Sequence, residues 1–285
     1  VELRPTTVGD LPALHALFLA SIAGVYLPHR FEPPAPPLEV FANQQRHIID
    51  SGGRSLVATD GDSPTAFASA WSRGDDWFLA SLFVAPEAQR GGIGQALLDA
   101  VWGDRHAHAR RRTITDAIQP VSNALYARRG LVPATPVLSF SGIPRAGAAP
   151  LAGSWHAAES PRETAPLDAA AYGFDRAVDH AYWARLARPT IWARDDTAVA
   201  YSYAFPRGHI GPVAGLDPDA AAGALEGELA RATGPVVVRI PGSSRSLVDV
   251  ALHRGLRLSP TPGLLLLSAD AEPPTSLALS GFTLY

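Results

Sequence analysis

The chain of 285 residues contains no cysteine and no methionine, and its 24 basic residues are all arginine. Without cysteine there are no disulfides, thiolate metal sites or cysteine nucleophiles. Without lysine there is no Schiff-base lysine, no lysine-bound pyridoxal and no Walker-type phosphate loop. Arginine in place of lysine, together with heavy alanine usage, reads as the mutational bias of a GC-rich bacterial genome rather than as mechanism. No uninterrupted run approaches the ~18 apolar residues of a membrane-spanning helix, and the opening VELRPTTVGD lacks the apolar core of a secretory signal. The expectation is a soluble, cytoplasmic bacterial protein. A net charge of −3 argues against a nucleic-acid binder or a polybasic membrane protein.

What is present is a globular composition, 47% hydrophobic and 18% charged. At roughly 100–200 residues per domain the length predicts two domains, each with its own core. Strand and helix signals alternate. Residues 2–5 read as an edge strand, and Asp10 as the cap of a helix over 11–22. The Pro-rich stretch 31–38 reads as a loop, 38–49 as a helix, and 55–59, 65–72 and 77–84 as consecutive strands. A helix over 92–108, a strand over 113–118, a short helix over 122–129 closed by Gly130 and a strand over 137–140 complete the first half. Residues 142–165, rich in Gly, Ala, Pro and Ser, read as a linker. The second half repeats the scheme, with a helix over 167–186, a hairpin over 191–205 about Asp195-Asp196, strands at 209–216, 236–240 and 264–268, and helices at 219–233 and 244–254. The fold class is α/β, or more strictly α+β, with domains at 1–141 and 166–285.

An internal repeat is visible. Arg129-Gly130-Leu131, followed by Thr135-Pro136, aligns on Arg254-Gly255-Leu256, followed by Thr261-Pro262, and sets Tyr126 opposite Ala251.

The stretch that carries chemistry runs from Ser81 to Leu98. A strand ending Val84-Ala85-Pro86 feeds the turn Gln89-Arg90-Gly91-Gly92-Ile93-Gly94, which opens into a helix. Glycines let backbone N–H groups converge, and the helix N-terminus adds partial positive charge, so such a turn can cradle a pyrophosphate. This pattern resembles the GNAT superfamily of acyl-CoA-dependent N-acyltransferases, whose signature is Arg/Gln-x-x-Gly-x-Gly/Ala after a strand ending Val-x-Pro. A second family block, with a Leu-Tyr pair and a glycine, matches Leu125-Tyr126 and Gly130. The resemblance covers residues 1–141.

The resemblance implies two tandem GNAT-like domains, each a mixed, mostly antiparallel central sheet flanked by helices, with acetyl-CoA as cosubstrate and no metal. Leu82, Phe83 and Val84 match the strand that pairs with the pantetheine arm. Gln89, Arg90, Gly91, Gly92, Ile93, Gly94 and Gln95 match the pyrophosphate loop. Tyr126 matches the general acid for the departing thiolate. Family members often carry an asparagine about seven residues before this tyrosine; here Gln119 stands there and Asn123 lies nearby, and either is a candidate cofactor contact. Tyr26, His29 and Arg30 fall where the family's first helix and loop line the acceptor pocket.

The missing part is a base. No Asp or Glu lies within 77–84, and Asp75, Asp76 and Glu32 lie outside that strand. Those three, Ser81 as the holder of a water, and the carboxylate of Tyr285 are the candidates, Asp75 and Asp76 reading more readily as turn residues. The arginine run 110–112 reads as a solvated helix end, His106 and His108 as a poor metal pair, and Asp179-His180 with Tyr182-Trp183 as a packed helix.

The second half lacks the chemistry. Its strand runs into Asp217-Pro218-Asp219, whose acids at a helix N-terminus would repel a pyrophosphate, and Ala251 replaces the tyrosine. The reading is a degenerate C-terminal domain. The sequence predicts N-acetylation of a primary amine of a small molecule by a monomer or homodimer with no nucleic-acid or membrane partner. A non-catalytic CoA-binding sensor is the alternative.

Overall fold

The computed structural model describes residues 2–61, 63–103, 110–146 and 154–285. The chain forms two compact units that interleave along the sequence. The first comprises Val1–Thr113, Ile118–Val132 and Ser268–Asp270, and the second Ile114–Ala117, Pro133–Leu267 and Ala271–Tyr285.

The first unit runs β1 (Glu2–Pro5), α1 (Leu11–Tyr26), α2 (Leu38–Asp50), β2 (Arg54–Asp60), β3 (Ser63–Arg73), β4 (Asp76–Val84), α3 (Ile93–Trp102), β5 (Arg110–Asp116) and α4 (Pro120–Ala127). The strands pair in that order. All pairs are antiparallel except β4 with β5. Leu14, Leu17, Phe41, Val57, Phe67 and Ala85 form one core cluster, with Phe18 and Phe83 packed on it. With its flanking single turns, α1 makes a helical stretch Val8–His29 that is long and apolar enough to cross a membrane. Its Leu11, Leu14, Leu17, Ile22 and Tyr26 are buried within the unit.

Three expectations are corrected here. Asp10 does not cap α1 with its side chain. A single 3₁₀ turn, Val8–Asp10, precedes the helix, and Asp10 instead accepts from the Thr7 backbone N–H at 2.7 Å and pairs with Arg4. Those hydrogen bonds, against the cost of burial, hold its carboxyl well below the usual range. Arg110, Arg111 and Arg112 are not a solvated helix end but the start of β5, and Arg111 and Arg112 are buried. Asp76 takes Arg110 and Arg112, both at 2.7 Å, while the Arg111 guanidinium lies over Trp102 and Trp77. The helix expected over 92–108 ends at Trp102; His106 and His108, within 104–109, lie outside the described residues, as do Asp62 and 147–153.

The second unit contains β6 (Val132–Gly142), β7 (Ser154–Ala157), α5 (Ala165–Tyr172), α6 (Ala177–Trp183), β8 (Thr190–Arg194), β9 (Thr197–Ala204), β10 (His209–Gly215), α7 (Pro218–Arg231), β11 (Val236–Pro241), α8 (Arg245–His253), β12 (Arg257–Leu258), β13 (Gly263–Leu267) and β14 (Leu277–Ala278). Its strand order is β13-β6-β11-β10-β9-β8-β7, with β12 beside β6 and β14 beside β10. The second core packs Val236, Val238 and Ile240 of β11 against Ala221, Leu225 and Leu229 of α7 and Leu247 of α8. The stretch 142–165 holds an edge strand, β7, paired antiparallel with β8.

The single helix expected over 167–186 is two. α5 stops at Gly173, whose φ of 79° is left-handed, and α6 begins only after Arg176. The break turns Arg176 inward. Its guanidinium meets Asp168 at 2.6 and 3.0 Å and lies over the Tyr172 ring.

The internal repeat is also geometric. Leu131 N–H donates to the Tyr126 carbonyl at 3.1 Å, and Leu256 N–H to the Ala251 carbonyl at 3.0 Å, so α4 and α8 end in the same closure.

Candidate active site

In the first unit the site is opened by one extra residue. β3 and β4 pair Ala70 with Leu79 and then Ser69 with Ser81, which leaves Ala80 as a bulge in β4. A bulge bends its strand and ends pairing. The parallel pairing of β4 with β5 stops at the same point, Leu79 with Thr113. Beyond it, Ser81, Leu82, Phe83 and Val84 keep β3 on one side, and no strand pairs with their other edge among the described residues. An unpaired row of N–H and C=O groups is a template for any extended chain with amide groups.

β4 leads straight to the candidate anion-binding turn. Arg90 and Gly92 both adopt left-handed backbone, with φ of 71° and 78°, and Gly92 caps α3. Successive turns of this kind aim backbone N–H groups at one point, and the first turn of α3 supplies more, because those N–H groups have no intrahelical acceptor. Nothing lies within 4 Å of a side chain built on Gly92, so its φ alone requires glycine; a side chain on Gly94 would meet Val84 at 3.4 Å. Gln89 donates to the Val84 carbonyl at 3.3 Å, tying the loop to the strand. Gln95 and Arg90 are exposed and Ile93 is half-buried.

The acid candidate lies on α4. Tyr126 is buried at 4% exposure, three residues after Asn123 and so on the same helix face. Gln119 accepts from the Val121 N–H at 3.3 Å; it caps α4, which accounts for a glutamine at this position.

On β4, Ser81 and Phe83 alternate away from Leu82 and Val84. Ser81 accepts a hydrogen bond from Gln45 Nε2 at 3.0 Å. Gln45 is 2% exposed, and its Oε1 has no hydrogen-bond partner among the described residues. Sequence reasoning missed Gln45. Its signal was a polar residue at helical spacing between Phe41 and Ile48 on α2, where Phe41, Gln45, His47 and Ile48 are buried. Phe83 meets Phe18 edge-on at 4.9 Å, and His15 holds the Pro-rich loop through the Pro36 carbonyl at 2.9 Å. Tyr26 is buried at the end of α1, whereas His29 and Arg30 are exposed on the turn that follows it, Arg30 with φ 61°.

The base candidates fare differently. Asp76 is committed to its two arginines. Tyr285 lies in the second unit, fully buried, where its main-chain oxygen accepts from Arg176 at 2.7 Å. Burial raises the Asp168 carboxyl, but the Arg176 charge and hydrogen bonds from His180 and Arg176 outweigh this and hold it low. Ser81–Val84, the 89–95 loop, Asn123 and Tyr126 thus belong to the first unit, and Tyr285, held by Arg176, belongs to the second.

The second unit repeats the opening and fills it. β10 carries an irregularity between Ile210 and Val213 against β9, and its parallel pairing with β11 stops at Ile210. Here β14 takes the freed edge, with Val213 against Ala278 and Ala214 against Leu277. Gly215 N–H donates to the Ser276 carbonyl at 3.1 Å, and Leu279 N–H to the Arg239 carbonyl at 2.8 Å. At the start of α7 the Asp217 carboxylate takes the Ala220 N–H at 2.7 Å, the group a phosphate would need.

Residues 51–132 match the family of the acetyltransferase (GNAT) domain. No curated protein matches the chain. Among solved structures, a Pyrococcus horikoshii protein provisionally assigned as an acetyltransferase is 18% identical over 100% of this chain and 95% of its own, with a TM-score of 0.76. A GCN5-related N-acetyltransferase from Sphaerobacter thermophilus is 16% identical over 96% and 97%, with a TM-score of 0.64. A tandem GNAT protein from the clavulanic acid biosynthesis pathway, solved without acetyl-CoA, is 13% identical over 95% and 98%, with a TM-score of 0.60. The chain has the tandem GNAT fold.

Proposed function

We propose that this chain, a tandem of GNAT-like units whose residues 51–132 match the GNAT acetyltransferase domain, transfers an acetyl group from acetyl-CoA to a primary amine of a small molecule. The observation that carries the reading is the unpaired edge of β4 over 81–84 leading into the left-handed Arg90–Gly92 turn at the head of α3. One pairs with an extended pantetheine arm; the other receives a pyrophosphate.

The chemistry then needs alignment more than reactive groups. Backbone N–H groups of the freed edge polarise the thioester carbonyl. The neutral amine attacks the carbonyl carbon, the carbon–sulfur bond breaks, and Tyr126 protonates the departing thiolate. A water on Ser81, whose hydroxyl is oriented by Gln45, takes the proton released by the amine and passes it to solvent.

The test is turnover of acetyl-CoA with a panel of small primary amines, followed as released thiol, for the full chain and Tyr126→Phe. Turnover that collapses in the variant while acetyl-CoA still binds supports transfer. The absence of a free carboxylate on β4 favours one other reading, a CoA-binding sensor. In that case acetyl-CoA binds, no amine is consumed, and the variant behaves as wild type.

A further inference from the structure

The second unit holds a cation without an anion. Arg239 lies on β11 between Val238 and Ile240, which face the core under α7 and α8, so its side chain projects from the opposite face of the sheet. Arg239 is half-buried, and the fully buried arginines among the described residues are all provided for. Arg112 meets Asp76, Arg176 meets Asp168 and Arg254 meets Glu226, while Arg73 and Arg111 lie on indoles and donate to backbone carbonyls. Arg239 has no carboxylate and no side-chain hydrogen bond to an oxygen acceptor among the described residues. Its contacts are His209 Nδ1, 3.5 Å from its Nη1, and the Phe282 ring, 5.7 Å from its guanidinium carbon.

His209 is set to face it as a neutral ring. Its Nε2 lies 2.8 Å from the Ser280 carbonyl, which can only accept, so Nε2 carries the proton and Nδ1 turns its lone pair toward Arg239. Burial, then the Arg239 charge, push the His209 pKa down to about 4. Burial also lowers that of Arg239. Both residues nonetheless keep contact with solvent. Aromatic rings flank the pair, with half-buried Phe282 beside Arg239 and Phe205 stacked on the His209 ring at 5.8 Å.

We propose that Arg239, His209 and Phe282 form a binding site for a small monocarboxylate with an apolar or aromatic body. A guanidinium is a planar fork that matches a carboxylate. One cation beside a neutral imidazole neutralises one negative charge and leaves a dianionic phosphate underserved. The site is built within the second unit and does not depend on the acyl-transfer reading.

The test uses the full chain, with benzoate and inorganic phosphate as probes and the imidazole nitrogen signals in long-range nitrogen–proton NMR spectra as readout, His209 being assigned through His209→Gln. Benzoate is expected to shift the His209 signals saturably. Arg239→Gln is expected to raise the benzoate Kd by at least about tenfold, since charge-assisted hydrogen bonds are the strong ones. The ligand-free variant should melt no lower than wild type, because it sheds a desolvated charge that has no partner. Three results overturn the proposal. Benzoate leaves His209 unmoved or binds Arg239→Gln equally well. Phosphate binds as tightly as benzoate. Or Arg239→Gln melts well below wild type, which makes Arg239 a latch for the 279–282 segment.

Discussion

The proposed acyl transfer is tested most directly at Tyr126. Tyr126→Phe removes one hydroxyl from a buried side chain and leaves its ring to pack. If the hydroxyl protonates the leaving thiolate, kcat falls by about 10²-fold or more, the usual worth of a positioned acid. The KM for acetyl-CoA should then stay within a few-fold of wild type, as steady-state kinetics would show. A second single-residue prediction concerns pH. His209 has a folded pKa of about 4 against an unfolded value near 6.5. Between these values the unfolded chain binds the extra proton, so stability rises with pH across that window. This contribution is complete above about pH 6.5 and lost as the pH falls toward 4. His209→Gln should flatten that part of a denaturation-midpoint profile; an unchanged slope would place the titration elsewhere. What was legible in the sequence at this scale was whatever sits in a contiguous motif, such as Tyr126 and the Arg90–Gly94 loop. Arg111 and Arg112 were misread because the Trp102, Trp77 and Asp76 that absorb them are brought to them by the sheet and not by sequence neighbourhood. Gln45 stayed hidden for the same reason, since its partner Ser81 is 36 residues away.

At the level of elements, the strand–turn–helix from β4 to α3 was legible because its glycines have a backbone cause. Gly92→Val forces a β-branched residue into φ near 78°, at a cost of about 1–2 kcal/mol of local strain. The turn relaxes by swinging its N–H groups out of convergence, so acetyl-CoA affinity measured by calorimetry is expected to fall at least tenfold while circular dichroism stays native. Equal affinity would remove the loop from the cofactor site. The break between α5 and α6 was misread, since the apolar spacing of 167–186 continues past Gly173 and was weighed above that glycine as a stop signal. The stop is local, with Gly173 in left-handed backbone closing α5 and Asp175 accepting from the Ala177 N–H ahead of α6, and the break delivers Arg176 to Asp168, Tyr201 and the Tyr285 oxygen. Removing one partner of such a buried pair costs about 3–5 kcal/mol. Arg176→Met should therefore lower the denaturation midpoint sharply, and pairing it with Asp168→Leu should recover part of the loss. A double variant no more stable than the single would show that Arg176 acts through the 279–285 segment rather than through Asp168.

At the scale of the whole molecule the duplication was visible in the paired Arg-Gly-Leu and Thr-Pro steps, but the interleaving was not. β6 falls with the second unit from Pro133, and Ser268–Asp270 with the first, and nothing in residue patterning distinguishes a strand that pairs with its own half from one that pairs with the other. The same exchange of expectations governs cofactor number. Both units bend their central strand after the parallel pairing ends, and both therefore free an edge of the kind an extended pantetheine arm would use. In the first unit no strand among the described residues pairs with that edge. In the second the chain lays β14 along it, and Asp217 takes an N–H at the mouth of α7. A second molecule of acetyl-CoA would have to displace a strand hydrogen-bonded to β10 and then face a carboxylate where its pyrophosphate should sit. Acetyl-CoA is accordingly expected to saturate the chain at one equivalent, and Gly92→Val is expected to lower the affinity of that single site rather than unmask another. A titration that saturates at two equivalents, or that keeps one full-affinity equivalent in Gly92→Val, would mean that β14 yields its place and that the second unit carries the cofactor.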